Sequence, residues 1–250
     1  MRRSRLREHA MSAGSIEPRL PNLDGCTRAR DACAALALLG WQECGRGDWS
    51  WVLRDPSDSI AARITPWDAA YLMHGRMCIQ HAHNPYLQRI LRIQPLGRVG
   101  HAIFMERLHA ADEARAAELV TALDLVSGVD SKQRSTAAHR TGDTPQLHEL
   151  RTLLLAAEHQ GRITLPFWGG FDVSTKNIMA TGDGQLRLID PYFVSGLAIV
   201  SALQNGETDR LRALSADELR AFLQIPVFAD TEETAALRRV VDGMYPTHER

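Results

Sequence analysis

Three oxygen-bearing side chains stand close together late in the chain: Asp172, Asn177 five residues on, and Asp190 thirteen residues after that. Carboxylate and amide oxygens are hard ligands, the kind that hold Mg²⁺. Lys176 lies immediately before Asn177 and is one of only two lysines, the other being Lys132, so it counts for more than one charge in a chain whose basic residues are nearly all Arg. Taken singly, each feature has an ordinary alternative. Asp172 could cap a helix or sit in a loop, Asn177 could be a turn residue, Asp190 could end a strand, and Lys176 could be a solvated loop charge.

The segments around them specify a scaffold. Between Asn177 and Asp190 a short apolar stretch, the turn Gly182-Asp183-Gly184 and an alternating Leu186, Leu188 stretch predict a β-hairpin that ends at Asp190. Upstream, Leu147, Leu150, Leu153 and Leu154 predict a helix over Gln146–Gln160 that Gly161 ends. Cys33 to Leu39 reads as a short first helix stopped at Gly40. Two strands, Trp51-Val-Leu and Ser59 to Ile64, flank a turn at Arg54–Asp58, and a helix follows over Asp68–His83. Ile90 to Ile93 and His101 to Glu106 predict two more strands, and Ala110–Val126 an amphipathic helix. Residues 1–26 read as a flexible leader, in which Met11 is a second possible start, and Ser127–Thr144 as a loop or disordered insertion. Three helical patterns follow Phe193, with Ser215 and Glu218 spaced as a capping box.

Composition narrows the function. The 250 residues are 44% hydrophobic and 24% charged, enough for a sizeable core, and the formal net charge is -1. That balance provides no field for wrapping nucleic acid and none for an acidic membrane surface. No apolar run is long enough for a membrane span, and the basic start lacks an apolar signal core, so the chain reads as soluble and cytoplasmic. Cys26, Cys33, Cys44 and Cys78 form no CxxC pair and read as reduced thiols. His74, His81 and His83 do not converge as ligands at their spacing, and Trp49, Trp51, Trp67 and Trp168 read as core or pocket lining.

A helix, a loop holding Asp-x4-Asn, and a hairpin ending in Asp together resemble the catalytic core of the protein-kinase-like superfamily, in its compact aminoglycoside-phosphotransferase-like or phage-type form. The resemblance spans roughly Gly40 to Phe193. It implies a two-lobed α+β fold: an N-lobe over 27–108 with a small antiparallel sheet and one helix, and a helical C-lobe over 109–250 carrying the catalytic loop and hairpin. It implies ATP and Mg²⁺ as cofactors. Asp172 would orient or deprotonate an attacking hydroxyl, Lys176 could supply transition-state charge, and Asn177 and Asp190 would hold the metal. Gly45 and Gly47 would belong to the glycine-rich loop, Arg63 would stand at the phosphate-binding Lys position, and Glu106 would lie on the hinge strand by the adenine. The partners implied are a nucleotide and a phosphate acceptor, protein or small molecule.

The pattern is also eroded. Arg63 replaces Lys, the next helix has no Glu and leaves Asp68 as the only nearby acid, Gly170 stands where a His is usual, Pro191-Tyr192 follows Asp190, and one loop glycine is missing. These losses leave a second reading open, a pseudokinase that binds a protein partner without catalysis.

Overall fold

The computed structural model describes residues 20–125, 144–228 and 231–245. Most of the predicted leader and of the 127–144 insertion lies outside them. Residues 20–26 do not behave as a leader: Leu23 is buried in the core, and Gln94 donates to Asn22 and Asp24.

The chain runs through α1 (Ala29–Leu38), β1 (Gln42–Arg46), β2 (Trp51–Arg54), β3 (Ile60–Thr65), α2 (Ala69–Gln80), β4 (Ile90–Leu96) and β5 (Gly100–Glu106). These strands form one antiparallel sheet in the order β1-β2-β3-β5-β4. The two-residue period of β3 divides its side chains between the faces of the sheet. Ala62 and Ile64 face α1 together with Phe104, Leu53 and Leu36, whereas Ala61 belongs to the core shared with α2 and the second lobe. Arg63 shares the Ala61 face and therefore points toward the second lobe.

That lobe comprises β6 (His109–Ala110), α3 (Glu113–Leu123), α4 (Pro145–Thr164), β7 (Trp168–Phe171), β8 (Ile178–Ala180), β9 (Leu186–Leu188), β10 (Tyr192–Val194), α5 (Gly196–Gln204), α6 (Thr208–Leu211), α7 (Ala216–Phe222) and α8 (Glu232–Met244). β8 and β9 are the predicted hairpin, paired Ile178 to Leu188, and β6 adds a third strand to it. β7 and β10 pair with each other and bracket both acids. The α7 capping box forms as its spacing indicates, with Ser215 and Glu218 exchanging hydrogen bonds.

Gly161 does not end α4, which continues to Thr164. A Cβ at this position would come within 2.5 Å of the Trp168 ring. The glycine is there for close approach of β7 to the helix.

Among the described residues, no helix is long and apolar enough to cross a membrane. The fold is a two-lobed α+β architecture with a single apolar cluster joining β3, β5 and α2 to α4, β7–β10 and the C-terminal helices.

Candidate active site

Asp172 follows β7 directly, and Asp190 falls between β9 and β10. Because β7 and β10 pair, with Phe171 opposite Tyr192, the residues just outside the pairing are brought side by side. The Asp172 amide donates to the Pro191 carbonyl (2.8 Å), which locks the two acid-bearing turns together. Asn177 closes a 3₁₀ turn, Thr175–Asn177, and its Nδ2 donates to the Asp172 carbonyl (2.7 Å). With its nitrogen spent on the loop, the amide keeps its carbonyl oxygen as the coordinating end.

Glycines allow this packing. Gly170 holds φ +93°, a conformation that side chains rarely adopt, and a Cβ on Gly169 would fall 2.2 Å from the Phe193 ring. Neither position takes a side chain without strain, Gly170 because of its positive φ and Gly169 because of the Phe193 ring.

From the other lobe, Arg63 reaches both sides of the cleft. Its Nη2 donates to Asp68 (2.7 Å), its Nη1 to Asp190 (3.0 Å), and its guanidinium lies 3.7 Å from the centre of the Tyr71 ring. Asp68 is also the N-cap of α2, accepting from the Tyr71 amide (3.0 Å), so one carboxylate both starts the helix and pairs with the strand. The partnership of Arg63 with Asp68 is thus formed, in place of a Lys with a helix Glu.

A five-stranded antiparallel sheet with its helix after the third strand, a basic residue on that strand reaching an acid at the helix start, and an Asp-x4-Asn loop beside a hairpin-end Asp now stand in one arrangement. The arrangement resembles that of the protein-kinase-like fold. No protein-family model matches the chain, and no curated protein matches it in sequence. Among solved structures, the chain is similar to aminoglycoside phosphotransferase APH(3'')-Id from Streptomyces rimosus, at 15% identity and a TM-score of 0.35, covering 83% of this chain and 98% of the other. It is similar also to the type VIII aminoglycoside-3'-phosphotransferase, at 15% identity and a TM-score of 0.30, covering 86% and 98%. Overlaps this loose place no residue of this chain.

Asp172 and Asp190 line one cavity of about 840 Å³, together with Arg63, Asp68, Gly47 and Asp48. Four carboxylates face one guanidinium there, so with all ionised the lining is strongly negative. Burial raises the Asp190 carboxyl, the Arg63 guanidinium pulls it back, and Asp68 and Asp172 push it up again, leaving it at about 6. Burial works against the charge of Arg63, yet Asp190 and Asp68 outweigh it and hold the group protonated. The side chains of Arg63 and Asp68 are 12% and 10% exposed, whereas Asp190 keeps 27% of its surface, the part a cation would meet.

Of the two residues expected to hold Mg²⁺, Asp190 lines the cavity and Asn177 does not. Among the described residues no group of three or more His, Cys, Asp and Glu is arranged to hold a metal. One carboxylate with one amide oxygen is the sparse protein contribution that Mg²⁺ takes when phosphates and water complete its shell. The excess of carboxylates also means that a bare polyphosphate is repelled more strongly than a metal-bound one.

The remaining candidates are placed differently. Gly47 begins a tight turn between β1 and β2, its amide bonded to the Ser50 carbonyl, and lines the cavity. Gly45 lies within β1 at a bulge and does not line it. Lys176 is exposed on the 3₁₀ turn and is not part of the lining. Glu106 accepts from Arg187 Nε (2.9 Å) and the Arg89 amide (2.8 Å), tying the end of β5 to the hairpin, and is likewise outside the lining.

Trp49, expected as core or pocket lining, lines the cavity, and so does Phe193, which the sequence did not single out. Trp49 packs against Trp67 and Phe222 at centroid distances of 5.8 and 5.5 Å, at the rim between the lobes. A Trp inside a Gly-Asp-x-Ser turn, too short to have a core of its own, was the available signal.

Proposed function

We propose that the protein is an ATP- and Mg²⁺-dependent phosphotransferase that acts on a hydroxyl group. The observation that carries this reading is the convergence of Asp172 and Asp190 on one cavity, fixed to each other through the Asp172 amide and the Pro191 carbonyl. Asn177 buttresses the same loop.

In this reading Asp172, exposed to the cavity, orients the acceptor hydroxyl and takes its proton as the oxygen attacks phosphorus. Asp190 and Asn177 hold Mg²⁺, which when bound neutralises charge on the phosphate oxygens. Arg63 keeps Asp190 in place and the floor of the cleft from becoming more negative. Phosphoryl transfer asks mainly for positioning and charge neutralisation, and these residues supply both. Gly47 belongs to the turn over the phosphates. Gly45, Lys176 and Glu106 act from outside the cavity, through the loop, turn and hinge that carry them.

The test is the pair Asp172→Asn and Asp190→Ala, measured by ATP turnover with a hydroxyl acceptor and by thermal shift with Mg²⁺-ATP. Asp172→Asn should keep the shift and lose turnover by at least about a hundredfold, while Asp190→Ala should lose both. Full turnover in Asp172→Asn would overturn its role. A wild-type protein with no thermal shift at millimolar Mg²⁺-ATP would instead support the pseudokinase reading.

A further inference from the structure

Tyr71 stands in the first turn of α2, is buried, and does not line the cavity. Its ring nevertheless faces the guanidinium of Arg63, 3.7 Å from the ring centre. Its amide donates to Asp68 Oδ1 (3.0 Å), while the other oxygen of that carboxylate accepts from Arg63 Nη2 (2.7 Å). Strand residue, helix cap and ring thus close on one another within the first lobe, and Nη1 is left to reach across to Asp190 (3.0 Å). Arg63 Nε is buried and has no hydrogen-bond partner among the described residues, so only the two acids and the ring fix the plane of the group.

The ring is held in its turn. Burial raises the phenol, so the hydroxyl keeps its proton and donates to Gln88 Oε1 (2.8 Å). Gln88 Nε2 in turn donates to Met105 Sδ on β5 (2.7 Å). A residue that only filled the core would need no hydroxyl, since burying one costs free energy unless it is bonded. Here the hydroxyl gives the ring one orientation. The face of an aromatic ring attracts a cation, and more strongly where water is excluded. Among the described residues, Arg63 is the only hydrogen-bond donor to the Asp190 carboxylate. Whatever orients the guanidinium therefore orients that acid.

We infer that Tyr71 is a positioning residue for Asp190, acting through the Arg63 guanidinium, so that Mg²⁺-nucleotide affinity depends on a ring that does not line the cavity. This rests on the phosphotransferase reading above and adds a residue to its machinery. If Tyr71 were core filling alone, an aliphatic side chain of similar bulk would serve as well, and metal-nucleotide affinity would not register the change.

The test is calorimetric titration of the full chain with Mg²⁺ and a non-hydrolysable ATP analogue, and separately with adenosine, which has no phosphate for a metal to bridge. Tyr71→Leu removes the ring face and should weaken binding of the Mg²⁺-bound analogue by about tenfold, with adenosine bound as by the wild type. Tyr71→Phe keeps the face and loses the anchor to Gln88, and should weaken it by about threefold. Urea unfolding is measured on both variants, and if Tyr71→Leu shows no cooperative transition, Tyr71→Phe decides alone. Wild-type affinity for the Mg²⁺-bound analogue in the deciding variant would overturn the inference. An equal loss of adenosine binding would mean a general loosening of the fold and would overturn it as well. Both of these outcomes leave the phosphotransferase reading standing. A wild-type protein that binds the Mg²⁺-bound analogue no better than adenosine would sink that reading and this inference with it.

Discussion

Arg63 is the residue on which the two lobes meet chemically. Its guanidinium has two acids to satisfy, Asp68 and Asp190, and an ammonium on a Lys could not span both in the same fork. Arg63→Ala should leave two poorly solvated carboxylates unpaired and cost about 3 kcal/mol in denaturant unfolding. Arg63→Lys should recover part of that loss, because charge is restored but only one partner can be held well. A second expectation concerns proton competition. Asp190 is raised to about 6, and only its ionised form binds a cation, so Mg²⁺-nucleotide affinity should be full above pH 7 and fall below pH 6. Titrations at pH 5, 6 and 7.5 would read this directly, and no change across them would remove Asp190 from the metal.

At the residue scale, what could be read from the sequence depended on separation along the chain. Asp172, Asn177 and Asp190 fall within one short stretch, and Asp68 lies five residues from Arg63, so these groupings are legible. The link between Arg63 and Asp190 crosses 127 residues, and no periodicity reports it. The place of Leu197 in the cavity lining was equally hidden, since a Leu in a pattern of Leu, Ala, Ile and Val looks the same whether it faces a core or a cleft.

Among the elements, helices and the hairpin were legible because each carries its own period and caps. β10 was not, because Tyr192-Phe-Val is three residues long and becomes a strand only through pairing with β7. β1 was hidden for a different reason: Gln42–Arg46 is exposed throughout and shows no alternation. The reading of Gly161 as a stop followed the usual role of glycine near helix ends, and tertiary contact overrode it. The same contact reverses a familiar substitution. Gly to Ala inside a helix normally stabilises by about 1 kcal/mol. In α4, Gly161→Ala should instead destabilise by about 1–3 kcal/mol as the new methyl meets Trp168. Urea unfolding of the variant decides between the two signs.

Viewed whole, the molecule has two lobes but one principal core, with Ala61 and Met105 of the sheet in the same apolar cluster as Phe171, Ile178, Leu188 and Tyr192. Calorimetry should therefore show one unfolding transition; two resolved peaks would mean that the lobes unfold independently. The pH dependence of that transition follows from the buried rings. Burial lowers His74 to about 3 and His101 to about 4, so the folded protein keeps both neutral where the unfolded chain, near 6.5, takes up protons. Stability carried by these histidines is present above 6.5 and lost as pH falls. Asp190 acts in the opposite sense, because its raised value lets the folded state take a proton first. Two groups against one leave a net loss of about 1.4 kcal/mol per pH unit between 6 and 4. His74→Gln should flatten that slope, whatever it does to stability at pH 7.

The turn between β1 and β2 is clasped to the opposite lobe, with the Val227 amide donating to the Asp48 carbonyl (3.2 Å) and the Trp49 ring resting on Phe222, while within its own lobe Thr65 donates to the Trp49 carbonyl (2.9 Å). In the proposed function, a nucleotide beneath this clasp leaves sideways only by breaking a hydrogen bond and separating two aromatic rings. Departure of spent nucleotide then becomes a diffusive event against solvent friction, and the overall rate should fall as the medium is thickened with sucrose. In Trp49→Ala, with the ring gone, the rate should become indifferent to viscosity.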